Sequence, residues 1–128
     1  MGAKRFEELT CWQLSVELKC ALYERFETPT VRADARFYHQ IRESARSAPA
    51  NIAEGFARFQ PGDFARFLEI ARGSLAETQN HLRDARDLSY ITTADYTTLL
   101  ALSDRAIGAT TRLIVYLKTR TKPRSKKG

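Results

Sequence analysis

The sequence predicts an all-α fold, an antiparallel up-down-up-down four-helix bundle. Apolar residues recur at helical spacing in four successive segments. Short connections containing Pro, Gly, Thr or Ser separate these segments, and no stretch shows the alternation of a strand. Helices joined by short connections pack as antiparallel neighbours. The chain has 128 residues, 43% of them hydrophobic, which is enough for one buried core.

The first segment is predicted to run from Thr10 to Phe26, with apolar residues at helical intervals. Thr10 and Gln13 have the spacing of a capping box, so Thr10 is the expected N-cap. Pro29 cannot continue a helix and also restricts Thr28. The segment is therefore expected to end before these two residues.

The second segment is predicted to run from Arg32 to Arg58 and carries three different faces. An apolar stripe centred on Ile41 faces the core. Pro49 lies inside the segment, removes one backbone hydrogen bond and is expected to kink the helix. The other two faces are a polar ridge of Gln40, Ser47, Asn51 and Glu54, and a small-residue face of Ala50, Ala53 and Ala57.

Both of these faces allow more than one interpretation. The alanines reflect either helix propensity or a second packing surface against another subunit. The polar ridge is either solvated, or hydrogen-bonded at a seam between helices, or part of a ligand site. We expect Asn51 and Glu54 to form hydrogen bonds at a helix or subunit seam around Pro49, where a freed carbonyl needs a partner.

The third and fourth segments have clear start signals. The third follows the break at Gln60–Asp63, where Pro61 suits a first helical turn, and is predicted to end near Leu88. In the fourth, Thr92 and Asp95 have the spacing of a capping box, and the helix is predicted to end near residue 118. Phenylalanines at 56, 59, 64 and 67 flank the second connection. They either close one end of the core or offer Phe59 as a stacking surface for bases.

The charge is concentrated at one end of the chain. Of 21 Lys and Arg residues, six lie in 118–128 without any acidic residue, which leaves 15 basic and 15 acidic residues in the rest. The sequence therefore predicts a bundle over 1–118, with no net charge in residues 1–117, and a disordered basic tail over 119–128. The tail either solubilises the chain or binds phosphates of a nucleic acid. The six cations at this end of the chain, the tentative nucleic-acid contacts, are Lys118, Arg120, Lys122, Arg124, Lys126 and Lys127.

Several classes of protein are excluded or disfavoured. The longest apolar run, Leu113–Leu117, is far too short to cross a membrane, and the N-terminus lacks the apolar region of a signal peptide. Cys11 and Cys20 lie nine residues apart on opposite sides of one predicted helix, so they cannot form a disulfide with each other. This pattern indicates a reducing cytoplasm.

No motif for catalysis or for a cofactor is present. The sequence has no glycine-rich phosphate loop and no spacing typical of a nucleophilic triad. A two-metal bundle site needs two Glu-x-x-His pairs, and neither His39 nor His81 has an acidic residue three positions earlier. Glu77 and His81 are one turn apart and form either a surface pair or half of a metal site. We therefore predict a protein without catalytic activity, cofactor or metal.

Two motifs carry a resemblance to a known family. The stretch Gln40–Gly55 reads QIRESARSAPANIAEG, and Phe67–Glu77 reads FLEIARGSLAE. Both resemble the signatures of the four-helix bundle proteins encoded in intervening sequences of bacterial 23S ribosomal RNA genes. Leu88–Ile91 resembles the Leu-Gly-Tyr-Ile turn of that family, with Ser89 in place of Gly. The resemblance covers about residues 6–118.

The resemblance implies an antiparallel bundle that assembles into rings of five. We predict that this bundle serves as a non-catalytic assembly or adaptor module. One branch of the family comprises accessory proteins of diversity-generating retroelements, which bind a reverse transcriptase and nucleic acid. A nucleic-acid-binding accessory protein is therefore the alternative function. The positions that match the motifs are expected to form subunit or helix-seam contacts: Gln40, Ser47, Asn51, Glu54, Gly55, Gly73, Ser74 and Glu77.

Overall fold

The structure, a computed structural model, describes residues 2–58 and 60–121. Every regular element in this part of the chain is helical, which confirms the all-α prediction. None of these helices is long and apolar enough to span a bilayer. After a 3-10 turn at Phe6–Glu8, the α-helices are α1 (Thr10–Arg25), α2 (Pro29–Ala33), α3 (Ala35–Phe56), α4 (Pro61–Asp87) and α5 (Thr93–Thr121).

The four long helices surround one core. Helix α3 packs on α4, α4 on α5, and α1 closes the arrangement against both α3 and α5. Leu18, Ile41, Leu75 and Ala106 lie at the centre and are completely buried. Burial of a leucine or isoleucine side chain stabilises the fold by about 1.5–3 kcal/mol, so Leu18, Ile41 and Leu75 each contribute on this scale.

Contacting residues on neighbouring helices run in opposite sequence order. As the residue number rises along one helix, the number of its contact on the next helix falls. On α3 and α4, Ser44 contacts Thr78 and Ser47 contacts Ser74. This opposed order is that of antiparallel helices. The same order holds between α4 and α5, where Arg72 contacts Thr111 and Gln79 contacts Ser103. It also holds between α1 and α5, where Cys11 contacts Thr110 and Arg25 contacts Asp95. Between α1 and α3, Tyr23 contacts Arg42 and Phe26 contacts Phe37.

The start of α1 differs from the predicted capping box. Thr10 is the first helical residue, and the N-cap is Leu9, which has extended backbone and no side-chain cap. The 3-10 turn before α1 explains the difference, because the Leu9 N–H donates to the Phe6 carbonyl. Gln13 donates from Nε2 to the Glu7 carbonyl at 2.8 Å and holds this turn against the helix.

The predicted second segment is two helices. The preceding segment ends before Pro29, as predicted, and Pro29 also begins α2. The Thr28 hydroxyl caps α2 by accepting a hydrogen bond from the Val31 N–H. Proline suits the first helical position because its missing N–H is not needed there. Asp34 separates the two helices and caps α3, because its Oδ1 accepts from the Phe37 N–H at 3.3 Å.

Helix α4 ends in a turn that uses Ser89 in place of glycine. Ser89 has φ of 60°, in the left-handed region. Its N–H donates to the Arg86 carbonyl, and the Tyr90 N–H donates to the Ala85 carbonyl. These two bonds form a Schellman motif, the usual C-terminal cap of a helix that ends in glycine.

Helix α5 begins as predicted and ends later. The Thr92 hydroxyl accepts from the Asp95 N–H at 3.0 Å, which confirms this cap. The helix continues to Thr121, three residues beyond the predicted boundary at 118. Leu117 is buried at that end, and Thr119 donates from its hydroxyl to the Tyr116 carbonyl. Residues 119–121 are therefore helical, and the tail cations Lys122, Arg124, Lys126 and Lys127 lie outside the described residues, as does Phe59.

Candidate subunit-contact surface

The two sequence motifs meet in one seam, because residues 40–55 lie on α3 and residues 67–77 lie on α4. Hydroxyl groups bridge the two helices. The Oγ atoms of Ser47 and Ser74 are 2.8 Å apart, and Thr78 donates from Oγ1 to the Ser44 Oγ at 2.9 Å. Thr78 is completely buried and Ser44 is 4% exposed. The structure thus brings Ser47 and Ser74 together as a helix-seam contact.

Asn51 reinforces this seam from α3. Its Nδ2 donates to the Ser47 carbonyl at 2.9 Å and to the Ser47 Oγ at 3.0 Å. Pro49 has no N–H, so the carbonyl of Ala45 lacks its usual helical partner. Asn51 bonds the carbonyl two residues after Ala45, and so it does not supply the partner that we expected at this proline.

Gly55 permits the closest approach of α3 and α4. A Cβ atom on Gly55 would lie 2.7 Å from the Phe67 Cβ and 2.9 Å from the Phe64 Cδ1. Separations below 3.0 Å are not tolerated between carbon atoms of this kind. Gly55 is buried and lies within the seam, where only glycine fits without moving a phenylalanine.

The remaining motif positions face away from the core. Gln40 and Gly73 are exposed, and a Cβ on Gly73 would meet nothing within 4 Å. Glu54 is exposed and pairs with Arg58 at 3.0 Å, one turn along the same helix. Glu77 is also exposed. Packing within the described bundle accounts for Gly55 but not for Gly73.

Small and apolar side chains accompany these outward positions. Ala50 and Ala57 are exposed, and Ala53 is half-buried. On α4, Ile70 is 44% exposed one turn before Ser74. We call the combined area the outer α3–α4 surface; it comprises Gln40, Ser47, Ala50, Asn51 and Glu54 on α3 and Ile70, Gly73, Ser74 and Glu77 on α4.

The sequence did not indicate the burial of His81. Residue His81 is only 8% exposed, and its Nε2 has no hydrogen-bond partner among the described residues. The nearest carboxylate oxygen, Oε2 of Glu77, lies 3.5 Å away. No group of three or more His, Cys, Asp or Glu residues in the described chain could hold a metal ion. Glu77 and His81 therefore form a pair with one exposed and one buried member.

The predicted nucleic-acid residues divide between the bundle and the tail. Lys118 contacts Glu69 at 2.7 Å across α4 and α5, and the Lys118 ammonium lowers the pKa of the Glu69 carboxyl. Arg120 lies with its guanidinium carbon 5.0 Å from the centre of the Tyr116 ring. Lys118 thus forms an exposed ion pair between α5 and α4, and the cations beyond Thr121 lie outside the described residues.

A comparison of the chain with models of protein families identifies its family. The model of the 23S rRNA-intervening sequence protein matches residues 7–111. The chain belongs to this family. The matched region of this 23S rRNA-intervening sequence protein contains both motifs and the whole α3–α4 seam, and it ends before the basic residues at 118–128. A search of curated proteins found no significant match.

Proposed function

We propose that this 23S rRNA-intervening sequence protein is a non-catalytic assembly module that forms a homo-oligomer, a pentamer, through its outer α3–α4 surface. The observation that carries this proposal is Gly73, which is exposed and has open space around it. The exposed Ile70 and Ala50 lie on the same surface. Small residues allow a second backbone to approach closely, and an exposed isoleucine adds apolar area to such a contact.

Light scattering at micromolar concentration tests assembly. We expect a mass near five times the 14.6 kDa of the chain. Gly73→Leu and Ala50→Leu should shift the mass toward the monomer, because their side chains block close approach. Ala101→Leu, an exposed position on α5, is the matched control and should leave the mass unchanged. A monomeric wild type contradicts the proposal, and equal effects at all three positions place the contact elsewhere.

A second candidate function is binding of nucleic acid through the basic tail, in a cytoplasmic setting that suits two free cysteines. The charge distribution favours it, because six cations lie in 118–128 and the rest of the chain is neutral. Five copies would gather their tails and strengthen binding to a polyanion. Binding should weaken steeply as salt rises.

The structure sharpens the test of this second function. Truncation after Thr121 removes four cations and preserves α5 together with its Lys118–Glu69 contact. The truncated chain should keep its oligomeric mass and lose most of its binding to RNA or DNA at low salt. Undiminished binding would place the contact on the bundle and contradict a role of the tail.

A further inference from the structure

A pentamer needs two different contact surfaces on each chain. A ring of five has no twofold axis, so a patch on one subunit cannot meet the same patch on its neighbour. The outer α3–α4 surface must therefore meet a second surface of the next chain. Its two charged residues, Glu54 and Glu77, are both acidic and exposed. Glu54 pairs with Arg58 on its own helix, whereas Glu77 has no lysine or arginine partner among the described residues.

One stripe of α5 carries the opposite charge. Arg105, Gly108, Arg112 and Val115 follow one another at intervals of three or four residues, so they share one face of the helix. Both arginines are exposed, Gly108 is half-buried and Val115 is 57% exposed. We call these four residues the α5 stripe. Ala101, one turn before Arg105, lies outside it.

The two arginines of the α5 stripe have no acidic partner within the described part of the chain. Residues 105–121 contain no acidic residue. The carboxylate just before them belongs to Asp104, and its Oδ1 accepts a hydrogen bond from Gln79 on α4 at 2.6 Å. The α5 stripe is therefore a positively charged surface, and complementary charge favours contact with an acidic surface of another chain.

The α5 stripe also has space for a side chain from another subunit. The Nη1 atom of Arg112 lies 3.4 Å from the position that a Cβ on Gly108 would take, so the guanidinium lies beside this glycine. A depression of about 350 Å³ adjoins the stripe, and Arg105, Arg112 and the buried Leu14 are among its walls. Ile70, which is 44% exposed on the outer α3–α4 surface, has the apolar side chain to fill such a depression.

The two surfaces lie on neighbouring corners of the bundle. Helix α4 packs on α5 and α3, and α1 packs on both α3 and α5, so α4 and α5 are adjacent. Outward faces of adjacent corners in a four-helix bundle differ in direction by roughly a right angle. The two contacts of a subunit in a ring of five differ in direction by about 108°. We propose that the α5 stripe of one chain binds the outer α3–α4 surface of the next chain. This pairing rests on the pentamer proposed above and identifies the surface that the second copy supplies.

Charge reversal tests this pairing, with light scattering of the full chain at low salt as the measurement. Arg112→Glu and Glu77→Arg should each place like charges across the contact and raise the concentration at which the oligomer dissociates by about tenfold. The double variant exchanges the two charges and should recover most of the wild-type assembly. High salt should narrow the differences, because it screens exposed charges. Melting curves check that each variant is folded.

Arg46→Glu is the matched control, because it makes the same change of charge on another side of the bundle. Arg46 is exposed one turn after Arg42, whose guanidinium carbon lies 3.9 Å from the centre of the Tyr23 ring on α1. This variant should stay pentameric. If Arg112→Glu dissociates no more than Arg46→Glu and the wild type is a pentamer, the α5 stripe is wrong and the proposed function stands. A double variant no stronger than the single ones also overturns the pairing. A monomeric or dimeric wild type overturns the pairing and the pentamer together.

Discussion

Tyr90 donates a hydrogen bond of 2.7 Å from its hydroxyl to Oδ2 of Asp34. The other carboxylate oxygen of Asp34 accepts from the Phe37 N–H and caps α3. One carboxylate therefore joins the turn between α4 and α5 to the start of α3, across 56 positions of sequence. The ring of Tyr90 also packs on Phe37, with centres 5.1 Å apart.

Replacing Tyr90 by Phe should lower the melting temperature at pH 7, because the aromatic packing remains and only the hydrogen bond is lost. The hydrogen bond to Asp34, with smaller contributions from burial and from the Asp34 charge, raises the pKa of Tyr90. The bond therefore stabilises the fold at pH values below the ordinary tyrosine pKa of 10.0. This stabilisation is lost as the pH rises through the higher pKa that Tyr90 has in the folded protein. The difference between wild type and Tyr90→Phe should shrink above that pH.

Asp34→Asn provides the comparison for this prediction. An asparagine can still cap α3, since its side-chain oxygen accepts from an N–H. The hydrogen bond to a carboxylate and the Asp34 charge, which both raise the pKa of Tyr90, are then absent, and the tyrosine should titrate at lower pH in ultraviolet absorbance. Unchanged titration of Tyr90 in this variant would contradict the assignment of the shift to Asp34.

Replacing Ser89 by Gly should stabilise the protein by up to about 1 kcal/mol, because a left-handed backbone is unfavourable for residues with a Cβ. Ser89 has φ of 60° and its N–H is already used in the cap of α4. Denaturation by urea measures the difference. Ser89→Ala keeps the backbone strain and is the control; a gain in stability equal to that of glycine would argue against strain as the cause.

Replacing Gly55 by Ala should destabilise the protein by about 1–3 kcal/mol, as overpacked sites do. The new Cβ would lie 2.7 Å from the Phe67 Cβ, which cannot move without its helix. Gly108→Ala is the matched control, because its nearest neighbour is the flexible end of Arg112 at 3.4 Å. Alanine there should be neutral or stabilising by about 1 kcal/mol. Chemical denaturation that finds both variants equally weakened would contradict the close approach at Gly55.

The two cysteines should react at very different rates with iodoacetamide at pH 8. Burial raises the pKa of the Cys11 thiol to about 11, and Cys11 is 2% exposed, whereas Cys20 is exposed. The thiolate is the reactive form, so Cys20 should be alkylated first. Mass spectrometry should find one modified cysteine in the native protein and two in urea. Rapid modification of Cys11 in the native state would show that α1 opens.

Local signals predicted most of the fold, and the misses have identifiable causes. The cap at Thr92 and the break at Pro61 depend only on neighbouring residues, and the structure confirms both predictions. At Pro29 the sequence predicts only the end of a helix, although proline also suits the first turn of a new one, and α2 begins there. Asp34, a good N-cap residue, was the signal for the separate start of α3.

The candidate site was only partly predictable, because it depends on the pairing of two helices. The sequence shows both the polar ridge on α3 and the motif on α4. The alignment of the two helices, which places Ser47 against Ser74, is seen only in the structure. The burial of His81 likewise depends on what packs beside α4. A helical wheel centred on one helix cannot tell an exposed histidine from one covered by a neighbour.

The hydroxyl contact between α3 and α4 has a direction. Ser74 gives its single hydroxyl hydrogen to the Ile70 carbonyl, so the hydrogen between the two serines must come from Ser47. Asn51 in turn donates to the Ser47 oxygen. The amide, the two hydroxyls and the carbonyl are thus polarised in one sense, from α3 toward α4, and each bond strengthens the next. A group that draws electron density from the amide oxygen of Asn51 would make its N–H a stronger donor and tighten the link between the helices.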